Sequence, residues 1–433
     1  MASKDLDVYI AGDHAGTLSQ GESGSLTFEY GSTYRGVPLS LSMPRSTRAY
    51  HDRVVRPYLW GLLPEDPDAL KGISRSTGVS PSNPFALLAV IGRDCAGAVQ
   101  FCAPGSYPSR GSNLVPITEA QIAERLSEGR AGGRGWLAEN ERWSLAGQQS
   151  KFALRKDGGR WFSCEGDAPT THMLKSGVRG LEHQALNEYV CMRLAALCGI
   201  RSAHVSYREF EGAHGLEPAI VIERYDRKWD NGKVTRLHQE DFCQALGCLP
   251  EKKYAADGGP GVKEIVGVLK RAAQSQINVV EFLQMLFFNY LIAGTDAHAK
   301  NYSVMLAPGA VCRLAPLYDV ASMAPYVDER VWEHKPAKLA MSIGGENRVG
   351  HVSVRSVQKM VDQCGLEELG ITVEGCVALA IELANKIPGN IAAVFDGLEK
   401  TEVGQPAREL RSHMEKSIVR LCEKSIAHLE FDG

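Results

Sequence analysis

The stretch GTDAHAKNYSVMLAPGAVCRLAPLYD, residues 294–319, carries more chemistry than any other part of the chain. An apolar helix over residues 280–292 stops at Gly294, which leaves 295–301 as a polar loop at the end of a core element. Residues 302–306 and 311–314 have strand composition and pair as a hairpin around Pro308-Gly309, after which the chain emerges at Asp319. A hairpin returns its two ends to one place, so Asn301 at the entrance and Asp319 beyond the exit can face one ion. Magnesium takes hard oxygen ligands and keeps bound water, so one amide oxygen and one carboxylate suffice beside phosphate oxygens.

Asp296 precedes Asn301 by the interval that separates the catalytic-loop aspartate from the metal-binding asparagine in protein kinases. Phosphoryl transfer passes through a loose, highly charged transition state, so positioning and charge neutralisation supply most of the acceleration. Asp296 would orient the acceptor hydroxyl and take its proton. Lys175, at the end of a strand, would supply a cation for the α- and β-phosphates, and Glu188 on the next helix would pair with it. One loop aspartate alone is usually a turn or cap residue. The joint spacing of Asp296, Asn301, hairpin and Asp319 is what points to catalysis. His298 either supports the loop by hydrogen bonding or merely packs.

Outward from this stretch, the order of elements suggests two lobes. Residues 151–154 and 161–164 alternate as strands around the Asp157-Gly158-Gly159 turn, and a third strand ends at Lys175. A helix over 184–197, stopped by Gly199, precedes strands over 204–210 and 219–223. From Gln239 onward the pattern is predominantly helical. A mixed α and β region, with strands over 6–11 and 26–30 and helices over 54–63 and 84–91, stands before a Gly-, Ser- and Pro-rich break at 105–135. The expected class is α+β: an N-terminal domain over 1–140, a β-rich small lobe over 141–226 and a helical large lobe over 227–433.

Composition narrows the function. The 433 residues are 44% hydrophobic and 23% charged, with a formal net charge of −3, unlike a surface built throughout to neutralise nucleic acid. Eleven cysteines contain no Cys-x-x-Cys pair, and the start Met-Ala-Ser-Lys-Asp lacks the apolar core of a signal peptide, so a reduced cytoplasmic protein is expected. Cys191 and Cys198 share a helix face and read as core thiols. The apolar run 279–292 is too short to cross a bilayer, and no association with a membrane is expected. GRDCAGAVQF, residues 92–101, lacks the Gly-Lys-Ser/Thr of a phosphate loop.

Further motifs are PLSLSMP from Pro38, GLLPEDP from Gly61, IGRDCAGAVQF from Ile91, SLAGQQSKFAL from Ser144, THMLK from Thr171, NEYVCMRLA from Asn187, IERYDR from Ile222, HQEDFCQALG from His238 and DGGPGV from Asp257. Together with GTDAHAKN and PLYD, these resemble the HipA family, the kinase toxins of bacterial toxin–antitoxin modules, over nearly the whole chain.

The resemblance implies a protein-kinase-like fold behind a family-specific N-terminal domain, with ATP and Mg²⁺ as cosubstrates. It implies that Asp296 is the catalytic aspartate, Asn301 and Asp319 the magnesium ligands, and Lys175 the ATP-phosphate lysine. Glu223 and Tyr225 would hold adenine, and Ala146, Gly147, Gln148, Gln149, Ser150 and Lys151 would form the phosphate loop. Ser144 would be autophosphorylated and the kinase thereby silenced. A HipB-like helix-turn-helix antitoxin would be the partner, contacting DNA on the pair's behalf, and the substrate would be an aminoacyl-tRNA synthetase such as glutamyl-tRNA synthetase. The chain departs from ordinary kinases in lacking Gly-x-Gly-x-x-Gly, His-Arg-Asp and Asp-Phe-Gly, and Ser150 stands where the family usually has Glu. Phosphorylation of a small molecule or lipid, and a nucleotide-binding corepressor, are the rival readings.

Overall fold

The computed structural model describes residues 4–108, 113–130, 141–178, 180–213, 215–327 and 337–430. It divides into two compact units, the first made of Met1–Gly180, Ser206–Glu251 and Ser303–Cys312, the second of Leu181–Val205, Lys252–Tyr302 and Arg313–Gly433. The domain boundary expected near residue 140 falls in 131–140, outside the described residues.

The first unit opens with strands β1 (Lys4–Ile10), β2 (Asp13–Gln20), β3 (Leu26–Tyr30), β4 (Ala49–His51) and β5 (Val99–Cys102) in an antiparallel sheet of order β4-β3-β2-β1-β5. Leu26, Phe28 and Tyr30 point inward along β3 while Thr27 and Glu29 point away, the period-two pattern of a half-buried strand. Helices α1 (Asp52–Gly61), α2 (Pro67–Thr77) and α3 (Pro84–Ile91) accompany it. Asp66 and Asn83 cap α2 and α3 by accepting the amides of Asp68 and Ala86, and each is followed by proline at the first helical position. Val8, Leu18, Phe28, Tyr58, Leu59, Leu88 and Phe101 meet in the core of this region.

A second sheet contains β6 (Asn113–Pro116), β7 (Lys151–Asp157), β8 (Arg160–Glu165), β9 (His172–Lys175), β10 (Val205–Gly212) and β11 (Gly215–Glu223) in the order β10-β11-β9-β7-β8-β6. Helix α4 (Glu119–Arg130) buries Ile122, Ala123 and Leu126 with Phe152, Leu154 and Val221. Gly158 and Gly159 both take positive φ in the β7–β8 turn, the two-residue connection that matches strand twist.

Further strands are β12 (Arg227–Asp230) and β13 (Lys233–Arg236), which pair as a hairpin, then β14 (Gln239–Asp241), β15 (Ser303–Ala307) and β16 (Val311–Leu314) in one short sheet. The chain after Gln239 is mainly helical, as the pattern suggests, and the expected 302–306/311–314 hairpin is joined by one further strand, β14. Three-residue β14 is too short to leave a period in the sequence, and its partner β15 lies about sixty residues downstream.

β14 also fastens the N-terminal region. The Glu240 carboxylate accepts Ser40 Oγ at 2.5 Å and the Leu41 amide at 2.7 Å. His238, buried on the preceding turn, accepts the Ala98 amide at Nδ1, so its Nε2–H donates to the Leu39 carbonyl. Burial pushes the Glu240 carboxyl up to about 8 against the lowering effect of those donors, and burial draws His238 down to about 4. A carboxyl that keeps its proton only when folded contributes stability below its unfolded value near 4.5 and loses it as pH rises through about 8. Between pH 7 and 9 both histidine states are essentially neutral, so Glu240 dominates this seam. Urea unfolding of the parent is expected to weaken from pH 7 to 9, and of Glu240→Gln to stay flatter; equal slopes would remove Glu240 as the cause.

In the second unit, α5 (Gln184–Leu197), α6 (Val262–Leu269), α7 (Ser275–Leu291), α8 (Val354–Cys364), α9 (Val373–Leu398) and α10 (Gly404–Glu430) surround a core, with β17 (Lys338–Ile343) and β18 (Glu346–Arg348) as a ribbon. α9 is long and apolar enough to cross a bilayer by length and composition. Its Cys376, Ala380, Leu383, Ile387, Ile391 and Phe395 recur at helical spacing and are buried, and the helix packs on α5, α7 and α10. All eleven cysteines are free thiols and ten are buried, Cys191 and Cys198 among them.

Candidate active site

The candidate residues fall in both units, and each set is built by its own local structure. In the second unit, α7 ends at Leu291 and the chain turns through Ala293, a non-glycine residue at φ 55°. The loop that follows is held from three sides. The Ala293 carbonyl accepts the Met323 amide, the Thr295 carbonyl accepts the Ala340 amide, and the Ala299 amide donates to the Lys253 carbonyl. Residues 298–301 are buried although the sequence reads as a polar loop, because their backbone groups are satisfied internally.

Asp296 stands out from this frame with its side chain 71% exposed. Its backbone carbonyl accepts the Asn301 side-chain amide at 2.8 Å and the His298 amide at 2.8 Å. Because the Asn301 NH₂ donates, its Oδ1 is the atom that can accept or ligate. Tyr318 donates its hydroxyl to the Lys300 carbonyl at 2.7 Å, which ties the residue before Asp319 to the residue before Asn301. Asp319 is half-buried at φ 56°, in the left-handed region that aspartate tolerates better than most residues and that often marks functional sites.

α5 fixes the chain beyond Asp319. Asn187, fully buried, accepts the Ser322 amide at 3.0 Å and donates to its carbonyl at 2.7 Å. Sequence reasoning singled out Glu188, which is buried on the same helix. Asn187 was the missed residue, and a helical asparagine flanked by buried positions is the signal that could have found it. His298 is buried with its Nε2 at 3.9 Å from Asp296 Oδ1, beyond hydrogen-bond reach, and its ring packs edge-on against Tyr254.

In the first unit, Lys151 and Lys175 occupy opposed positions on β7 and β9, and both are buried. The preceding loop is anchored to the N-terminal region: Ser144 Oγ donates to the Leu62 carbonyl at 2.7 Å, the Ser144 amide to the Asp94 carbonyl, and the Glu65 amide to the Gly147 carbonyl. Lys151 Nζ donates to the Ala146 carbonyl at 2.6 Å, and Gly147, at φ 104°, passes so close that a Cβ would lie 2.4 Å from that ammonium. Gln148 is exposed, and Gln149 and Ser150 are half-buried. Ser144 itself is fully buried.

Glu223 ends β11 opposite His172, with its side chain exposed, and Tyr225 donates to Gln239 Oε1 at 2.6 Å. Between and after them lies a buried ionic network that the sequence did not reveal. Asp94 accepts Arg227 and Arg236 on one oxygen and Thr170 and Arg224 on the other, while Asp226 accepts Arg224, Arg227 and the Gly97 amide. Burial would raise Asp94, but Arg227, Arg236 and Arg224 together hold it well below the usual carboxylate range. The same surroundings, burial first and Arg224 second, draw Arg227 down to about 10.

Comparison with known proteins agrees with this architecture. Residues 6–102 match the family described as HipA N-terminal domain, and residues 143–391 match the HipA-like C-terminal domain. A protein named putative kinase Y4mE from Sinorhizobium fredii is 36% identical over 415 residues, covering 93% of each chain. The serine/threonine-protein kinase toxin HipA of Shewanella oneidensis is 30% identical over 412 residues, covering 91% of this chain and 89% of that one. A solved Shewanella oneidensis structure, of HipA with HipB and operator DNA, superposes with a TM-score of 0.82 at 26% identity over 98% of this chain and 97% of that one. Matched by family models in both its N- and C-terminal parts and by a named toxin kinase along nearly its whole length, the chain belongs to the HipA family of serine/threonine protein kinases.

Proposed function

We propose that this chain is the toxin of a type II toxin–antitoxin pair, and that it transfers the γ-phosphoryl group of ATP to a serine or threonine of a protein whose loss of activity arrests growth. One observation carries the assignment of the centre: the Asn301 amide donates to the Asp296 carbonyl while Tyr318 is fastened to Lys300. This supports a cluster of Asp296, Asn301 and Asp319. Asn301 Oδ1 and the Asp319 carboxylate are hard oxygen donors that suit Mg²⁺, which when bound would neutralise phosphate charge. Asp296 orients the acceptor hydroxyl and receives its proton. Lys151 and Lys175, with the amides of 146–150, bind phosphate, and Glu223 and Tyr225 flank the adenine segment.

The resemblance favours an aminoacyl-tRNA synthetase such as glutamyl-tRNA synthetase as target. A HipB-like antitoxin that contacts DNA for the pair is supported by the Shewanella complex. Incubation with γ-labelled ATP and cell lysate tests the reading. A discrete labelled protein band is expected. Label confined to small molecules or lipid would replace it with those substrates, and no transfer at all would favour a nucleotide-binding corepressor.

Ser144 is the proposed site of self-inactivation. Being buried and bonded to Leu62, its hydroxyl must leave that position before it can accept phosphate. Two added charges in so enclosed a place would keep the segment from returning. Mass spectrometry after incubation with Mg-ATP is expected to find phosphate on Ser144 accumulating as activity falls, and Ser144→Ala to stay active for longer. Decay at the parent's rate in Ser144→Ala would reject this.

A further inference from the structure

The DGGPGV motif has no task in the phosphoryl-transfer reading, yet its segment reaches the proposed centre. Tyr254, half-buried, donates its hydroxyl to Asp296 Oδ1 at 2.7 Å. Its ring meets His298 edge to face, with centroids 5.0 Å apart and planes at 84°. The backbone around it is tightly determined. The Tyr254 carbonyl accepts the amides of Asp257 and Gly259. At Gly259 a Cβ would lie 1.8 Å from the Lys252 carbonyl oxygen, so only glycine closes this turn. Pro260-Gly261 then leads into α6, whose Val262, Ile265, Val266 and Leu269 are buried. On the other side of the tyrosine, the Lys253 carbonyl takes the Ala299 amide from the Asp296 loop itself.

We infer that Tyr254 is a positioning residue for the phosphoryl acceptor: its hydroxyl, aimed by the Gly258-Gly259 turn, fixes Asp296 in one rotamer and leaves Oδ2 for the acceptor hydroxyl. The inference rests on the proposed role of Asp296. An aspartate this exposed would otherwise sample several χ1 wells, only one of which points an oxygen correctly. A hydrogen bond to an ionised oxygen is among the stronger ones and directs the carboxylate without changing its charge. His298, packed behind the tyrosine ring, limits how far that ring can swing.

The test uses the full chain, γ-labelled ATP and heat-treated cell lysate as acceptor mixture, with a fluorescent ATP analogue reporting nucleotide affinity. Tyr254→Phe removes one oxygen and keeps the packed ring. Turnover at saturating nucleotide and lysate is expected to fall about tenfold, equivalent to about 1.4 kcal/mol, with nucleotide affinity and melting temperature unchanged. In an Asp296→Asn background the same change should add nothing. Parent-like turnover in Tyr254→Phe beside an inactive Asp296→Asn overturns the tyrosine's role alone. An active Asp296→Asn overturns the role of Asp296. A full further tenfold loss in the double variant means that Tyr254 acts elsewhere, and rejects the inference.

Discussion

Asp296→Asn is expected to lower phosphoryl transfer to protein by about 10²- to 10⁴-fold, the range a positioned general base contributes. Asparagine keeps the shape of the side chain and an oxygen for the Tyr254 hydroxyl, so what is lost is the capacity to take a proton. Because the side chain is 71% exposed, folding stability should move by less than about 0.5 kcal/mol. Labelled-phosphate incorporation and a thermal melt of the same preparation separate the two effects. In cells without the antitoxin, the variant should no longer arrest growth. Arrest that persists at the parent's strength would speak for a binding function in place of catalysis.

The second large effect concerns folding. Asp94→Ala is expected to cost about 3–5 kcal/mol, because removing one member of a buried ionic set leaves charge uncompensated. Three guanidinium groups, from Arg224, Arg227 and Arg236, converge on Asp94 and Asp226, and the alanine leaves them one carboxylate. The exposed pair Lys71–Asp68, with side chains 58% and 67% accessible, makes the contrast. Asp68→Ala should barely register, since solvated pairs contribute little. Urea denaturation of both variants checks the difference, and a small loss for Asp94→Ala would show that the arginines re-solvate by local opening. Arg224 also donates its backbone amide to Thr171 between Glu223 and Tyr225, so the damage should extend to the proposed adenine segment.

Regular, strongly periodic elements were legible in the sequence, and contacts set by tertiary packing were not. α3, α5, β3, β9 and the β7–β8 hairpin with its Gly-Gly turn lie where alternation and turn chemistry put them. β4, β14 and the β12–β13 hairpin were missed because three- and four-residue strands offer too few positions to show a period. At the site, the spacing from Asp296 to Asn301 and the return to Asp319 could be read because hairpin geometry links nearby residues. Asn187, Tyr254 and the Asp94 network could not, since their partners lie 42 to 142 residues away and nothing local encodes that meeting. The motifs GLLPEDP and GRDC gained a physical role only when their Leu62, Glu65 and Asp94 backbones were found anchoring the Ser144–Gly147 loop.

The first unit is assembled from Met1–Gly180, Ser206–Glu251 and Ser303–Cys312. A nascent polypeptide therefore cannot finish it when residue 180 leaves the ribosome, because β15, the partner of β14, is translated more than a hundred codons later. At about 5–20 residues per second this delay is roughly six to twenty-five seconds, an interval in which chaperones or proteases meet an unfinished sheet. Prematurely terminated products ending before Ser303 lack that strand altogether, so a cell interrupted in making this kinase is left with fragments that cannot close the fold.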